Sequence, residues 1–425
     1  MIRAHLRLIR HVSTAIVLLG LSLCGAEVGV RVYEITQGKP ICSVVHTQSL
    51  SDPAQIAVPS WLSNLEMKPH ATAEVMCRDN KESIEIRTNS QGFRGPEIAI
   101  PKPADTYRIV VLGDETILAP EISEDQHFVH MLAGLLHQRT RLDVEVVNAA
   151  VPGACPLTEF LLFRQKIMAA QPDLVLLHYD WSDVSDDRLL RRRMKSDAQG
   201  TPLSCPHVSL QTRSRKQHPL DHLRQQFRLV DWGLVASGNQ WQQQISEQTA
   251  SSQEIGTNSY AWLRQDHPES DVAVTQSFRP IGDLARLSQG SFQLVVLTSP
   301  KPWQVSARCS NGAGVRIKSG VAVEAYYPNR APFEVLGAYS EDLRLPYLDL
   351  SAALMTDRPE TNFLRHAPRW SATGHRRVAE YLAGFLIERI SGPWNSRYFQ
   401  QEAPAANRQT GRRGDVQWAS GVQER

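Results

Sequence analysis

Tyr107-Arg108-Ile109-Val110-Val111-Leu112-Gly113-Asp114-Glu115-Thr116 is the stretch on which the reading of this chain turns. An apolar run of Ile, Val and Leu closed by a glycine turn has the form of a buried strand in a parallel sheet. The residue just past such a strand lies at the C-terminal edge of the sheet, where open α/β folds place their ligand sites. Glu115 is therefore the first candidate site residue, with the Thr116 hydroxyl beside it.

Four further runs, 144–148, 174–178, 294–297 and 347–350, have the same form. Helical stretches such as 128–138 and 159–170 separate them, and a helix from Gly374 to about Ile390 follows the last. Strands alternating with helices predict an α/β fold, a parallel sheet with helices on both faces. The chain has 425 residues, 42% apolar and 21% charged, which is ample material for one sizeable core. Lys and Arg number 46 against 44 Asp and Glu, so no global field attracts nucleic acid. Arg191-Arg192-Arg193 and Arg376-Arg377 read as solvated helix faces, and no internal repeat is evident. No Cys-x-x-Cys or His-Glu-x-x-His spacing is present, so no metal or cofactor is expected.

Several blocks fall in the order found in the SGNH, or GDSL-type, esterases and acyl hydrolases. Thr88-Asn89-Ser90-Gln91-Gly92-Phe93-Arg94-Gly95 resembles a lead-in seen in membrane-anchored members. Residues 108–115 resemble the nucleophile block, with Glu115 where the family carries serine. Val146-Val147-Asn148-Ala149-Ala150-Val151-Pro152-Gly153 resembles the second block, whose glycine gives a backbone N–H to the oxyanion. The third block is matched by Pro172 to Asp183, with Ser182 in place of the oxyanion asparagine. Ala367-Pro368-Arg369-Trp370-Ser371-Ala372-Thr373-Gly374-His375 resembles the last, with Ala367 for the aspartate and Arg369 for the histidine. The resemblance covers roughly residues 88–390 and implies a three-layer α/β/α, flavodoxin-like architecture.

The same resemblance implies that hydrolysis is lost. Acyl transfer uses a hydroxyl nucleophile, a base within hydrogen-bond reach and a group that orients the base. Glu115 has no hydroxyl proton to surrender, Arg369 stays protonated, and Ala367 orients nothing. Ser182 keeps a donor on a shorter arm, and Gly153 alone is unchanged. Thr116 as a substitute nucleophile, and His366 or His375 as a substitute base, are weaker readings, because histidines outside a site are usually solvated or satisfied. Cys155 reads as a small buried apolar residue rather than a thiol nucleophile. Glu115 and Arg369 are expected to meet as an ion pair where serine and histidine meet in the family.

Arg3, Arg7 and Arg10 precede an apolar run from Val12 to Ala26, which specifies export with the N-terminus in the cytoplasm. An uncleaved anchor over residues 1–32 is favoured over a signal peptide cut near Gly25-Ala26. The organisation expected is this anchor, an extracytoplasmic segment at 33–105, the SGNH-like domain at 106–390, and a polar, disordered tail at 391–425. An insert at about 189–276 holds Trp232, Trp241 and Trp262, available for packing or for stacking on sugar rings. Cys42 and Cys77 are candidates for a disulfide in an oxidising compartment. The expected function is a catalytically silent binding or scaffold protein outside the cytoplasm, facing an acyl or glycan ligand or a protein partner. The alternative is an esterase or O-acyltransferase that uses non-standard residues.

Overall fold

The computed structural model of the chain describes residues 56–213, 270–307 and 326–395, with isolated positions between 22 and 29 and between 316 and 322. Two antiparallel pairs come first: β1 (Ala57–Pro59) with β2 (Leu65–Met67), and β3 (Thr72–Met76) with β4 (Ser83–Arg87). β3 and β4 alternate exposed and buried residues, as strands with one covered face do. The lead-in residue Arg94 then bridges antiparallel to Asn148, joining this segment to the edge of the main sheet.

The main sheet has five parallel strands: β5 (Tyr107–Leu112), β6 (Val144–Asn148), β7 (Leu174–Tyr179), β10 (Gln293–Thr298) and β11 (Tyr347–Asp349). Their spatial order is β6-β5-β7-β10-β11, the flavodoxin-like doubly wound order. β7 is buried along its whole length and β5 from Arg108 onward, which is why these runs are continuously apolar rather than alternating. Arg108, inside β5, is buried with its guanidinium on Glu145 and on the Ala170 and Ala99 carbonyls.

The connecting helices are α1 (Glu115–Leu118), α2 (Phe128–Thr140), α3 (Pro156–Gln165), α4 (Asp183–Arg191), α5 (Val208–Arg213), α6 (Ser270–Ser288), α7 (Pro302–Val305), α8 (Ala331–Asp342) and α9 (Ala372–Arg389). α2 packs on α9, whereas α3, α4 and α6 pack on one another. Right-handed crossovers running outward in both directions from β5 put these two groups on opposite faces. The three-layer expectation is met, and each predicted strand lies within a residue or two of its observed bounds. α3 begins earlier than expected, because Pro156 starts the helix and Cys155 caps it. The short pair β8 (Lys195–Ser196) and β9 (Pro202–Ser204) opens the insert.

Among the described residues no helix is long and apolar enough to cross a membrane. The expected anchor falls almost wholly outside those residues, as do Cys42, Trp232, Trp241, Trp262 and nearly all of the tail.

Candidate functional site

The C-terminal ends of β5 and β7 flank the point where the strand order reverses, the usual ligand crevice of this topology. Gly113 ends β5 because α1 follows at once: a Cβ there would stand 2.3 Å from Ile117 Cγ1. Asp114 caps α1, its Oδ1 accepting the Thr116 N–H at 2.8 Å. Glu115 is the first helical residue, partly exposed, and its carboxylate forms no ion pair among the described residues.

Beside it lies a buried polar cluster that no motif announced. Thr116 Oγ1 donates to Asp180 Oδ2 at 2.9 Å, and the Lys301 ammonium bonds the same carboxylate oxygen while lying 3.4 Å from Thr116 Oγ1. His178 Nε2 is 3.0 Å from Ser299 Oγ. All five side chains are essentially closed to solvent. Burial works against the Asp180 carboxylate, but Lys301 outweighs it and holds the group near 2. Burial pushes His178 down to about 4, so the ring is neutral at ordinary pH. Burial, together with the Asp180 and Glu115 charges, raises Asp114 to about 8. Glu159, Asp183 and Asp186 behind this cluster are also driven well up, first by burial.

Asp114, His178 and Asp180 each offer a ligand atom within 4.8 Å of the others, a donor set suited to a borderline divalent metal. Lys301 already bonds Asp180 Oδ2, one of the two carboxylate oxygens that residue could offer an ion. Sequence spacing could not show this trio, since its members end two different strands.

The five positions expected to form the site come to the same edge but do not form one machine. Gly153 has φ +62° in the loop after β6, and its N–H makes no hydrogen bond among the described residues. Ser182 is turned back on its own strand end: both its N–H and its hydroxyl donate to Asp180 Oδ1 at 2.9 Å. Ala367 is buried in a small apolar cluster with Ala119, Ile122 and Leu364. The expected Glu115–Arg369 pair is absent. Arg369 is held by Glu121, with its Nε 3.2 Å from Oε2 and a second, closer contact from Nη2 to Oε1. Glu121 captures it because the chain turns out of α1 at Ala119 in a left-handed conformation, bringing the next carboxylate to the guanidinium. Burial opposes the Glu121 charge, but Arg369 and then His366 overcome it and hold the group near 2.

The remaining candidates divide. His375 is core: its Nδ1 accepts the Phe128 N–H at 3.2 Å, and its ring packs against His127 and Trp370. Burial, then the Arg94 charge, takes it down to about 3. Cys155 is fully buried, and burial pushes its thiol up, away from nucleophilic character. Cys77 is a buried thiol. His366 is tied to Asp79 and Glu121.

No family model matches the sequence, and no curated protein matches it. Among solved structures, Axe2, an acetylxylan esterase from Geobacillus stearothermophilus, is 13% identical over 68% of this chain and 95% of its own, with a TM-score of 0.35. A putative lipolytic protein of G-D-S-L family from Desulfitobacterium hafniense DCB-2 is 11% identical over 65% and 98%, with a TM-score of 0.31. The lipase/acylhydrolase from Enterococcus faecalis is 11% identical over 66% and 95%, with a TM-score of 0.35. This protein is similar to all three, and its fold is assigned by the strand order of its own sheet.

Proposed function

We propose that this chain is an SGNH/GDSL esterase-like protein that has given up the family's hydrolysis and works as a binding or scaffold protein outside the cytoplasm. One observation carries the reading. The positions of nucleophile, base and orienter are each absorbed into a separate structural role: Glu115 opens α1, Arg369 is fastened to Glu121, and Ala367 fills an apolar cluster. No hydroxyl–base pair remains at those positions. The partly exposed Glu115 and the Gly153 N–H, which makes no hydrogen bond among the described residues, are polar groups available to meet a ligand, an acylated or glycan molecule or a protein partner. The leading arginines and the apolar run support export and tethering at a membrane.

A second reading, an esterase or O-acyltransferase with non-standard residues, is favoured by the Ser299–His178 hydrogen bond at 3.0 Å beside Asp180. A hydroxyl on a neutral imidazole is the start of a nucleophilic pair. Both side chains are buried, however, and the nearby Thr116 hydroxyl is already committed to Asp180. Purified protein assayed with p-nitrophenyl acetate and butyrate, beside Glu115→Ala and a Glu115→Ser/Ala367→Asp/Arg369→His variant, separates the two readings. Background turnover by the unaltered protein is expected. Turnover that vanishes in Glu115→Ala, or covalent labelling of Thr116 or Ser299 by a fluorophosphonate, would overturn the first reading.

A further inference from the structure

We propose that His366, on the loop that carries Arg369, is a proton-operated clasp fastening the β3–β4 hairpin to the segment after α1. That loop is pinched at its base by the Phe363–Trp370 bridge and by Leu364 N–H donating to the Arg369 carbonyl at 2.9 Å. Its tip is gripped from two sides by carboxylates of different elements. Asp79, in the turn between β3 and β4, accepts the Arg365 N–H on Oδ2 at 2.8 Å and meets His366 Nδ1 through Oδ1 at 2.8 Å. Glu121, in the segment after α1, lies 3.6 Å from His366 Nε2 and also holds Arg369.

A neutral imidazole has one N–H and can donate to only one of these carboxylates, whereas an imidazolium donates from both nitrogens. Only the protonated ring therefore links the hairpin to the segment after α1. The charges facing it are Asp79 from the hairpin, Glu121 from the segment after α1, and Arg365 and Arg369 from its own loop. Behind Glu121 lies Arg94, whose guanidinium feels the Glu124 and Glu121 charges. The Glu121 contact is the largest of the influences that raise His366 above its ordinary 6.5, with burial opposing and Asp79 adding. Glu121, held near 2, stays ionised across the working range. The folded value is the raised one, so the clasp is complete below 6.5 and is lost as pH climbs through the folded value. Hairpin, loop and the segment after α1 come from separate parts of the chain, so their fastening is a property of the assembled fold.

Hydrogen exchange of the full chain, read by mass spectrometry between about pH 5.5 and about pH 9 and corrected for intrinsic rates, tests the clasp. Peptides spanning 77–82 and 363–370 are expected to lose protection together, in one step with a midpoint above 6.5. In His366→Gln both segments should sit at the open level throughout, with no step. Asp79→Asn, on the hairpin turn, should likewise abolish the step, and it serves alone if His366→Gln does not fold. Protection that is flat with pH in the unaltered protein would overturn the clasp. So would a step that persists in the variants, or two segments that open at different pH.

Discussion

Asp114 accepts the Thr116 N–H through Oδ1 and lies buried beside Asp180 and Glu115, so one side chain both starts α1 and sits where its own charge is unwelcome. Its folded value of about 8 stands above its ordinary 3.8, which means the folded chain holds a proton that the unfolded chain releases. Stability should therefore fall as pH rises from 3.8 to about 8, with the whole penalty present above that window. Asparagine keeps the capping oxygen and carries no charge. Asp114→Asn is expected to be more stable than the unaltered protein by about 1–3 kcal/mol at alkaline pH, the usual cost of a poorly satisfied buried polar group. The gap should close towards acid, and urea unfolding at several pH values measures it. A variant less stable at every pH would show that the Asp114 charge is compensated. Ala367 has the opposite character: packed with Ala119, Ile122 and Leu364, it sits in an apolar cluster that suits a methyl group better than a carboxylate.

Two elements, the segment leaving α1 and the loop before α9, are joined by Glu121 and Arg369. Glu121 is nearly buried and Arg369 partly so, which places their pair between the weak surface case and the costly interior one. Arg369→Gln leaves the Glu121 charge without its main partner and should cost about 1–3 kcal/mol. A double-mutant cycle of Glu121→Gln with Arg369→Gln should show coupling, whereas Glu115→Gln with Arg369→Gln should be additive. Coupling in the second pair and none in the first would restore the pairing that the motif order suggested. Because Glu121 is depressed to about 2, its contribution is present above 4.5 and disappears as pH falls through the folded value. Arg94 secures the same segment by donating to the Leu118, Ala119 and Ile122 carbonyls, a second reason for its rigid placement.

Across the whole molecule, the sheet domain and the segment before it form one continuous core, from Ile56 and Ile86 to Trp394. The proposed placement of this body outside the cytoplasm is tested by external protease on spheroplasts of cells producing the full chain. Digestion without lysis is expected, and protection until the inner membrane is broken would refute export. The sequence alone determined the layers of the fold. Buried parallel strands must be continuously apolar, and helices must alternate with them, so both periods are written locally in runs such as Arg108 to Leu112. It also carried the expectation that hydrolytic residues are replaced, because Glu115, Ser182, Ala367 and Arg369 are single letters in ordered blocks. Tertiary structure alone decided what the replacements touch. Arg369 meets Glu121 rather than Glu115 because a left-handed turn at Ala119 redirects the chain, and no periodicity encodes that turn. Thr116, His178, Asp180, Ser299 and Lys301 converge from the ends of three strands, and Asp79 reaches His366 from another. Such convergence follows from strand order, which brings together residues that lie far apart along the chain.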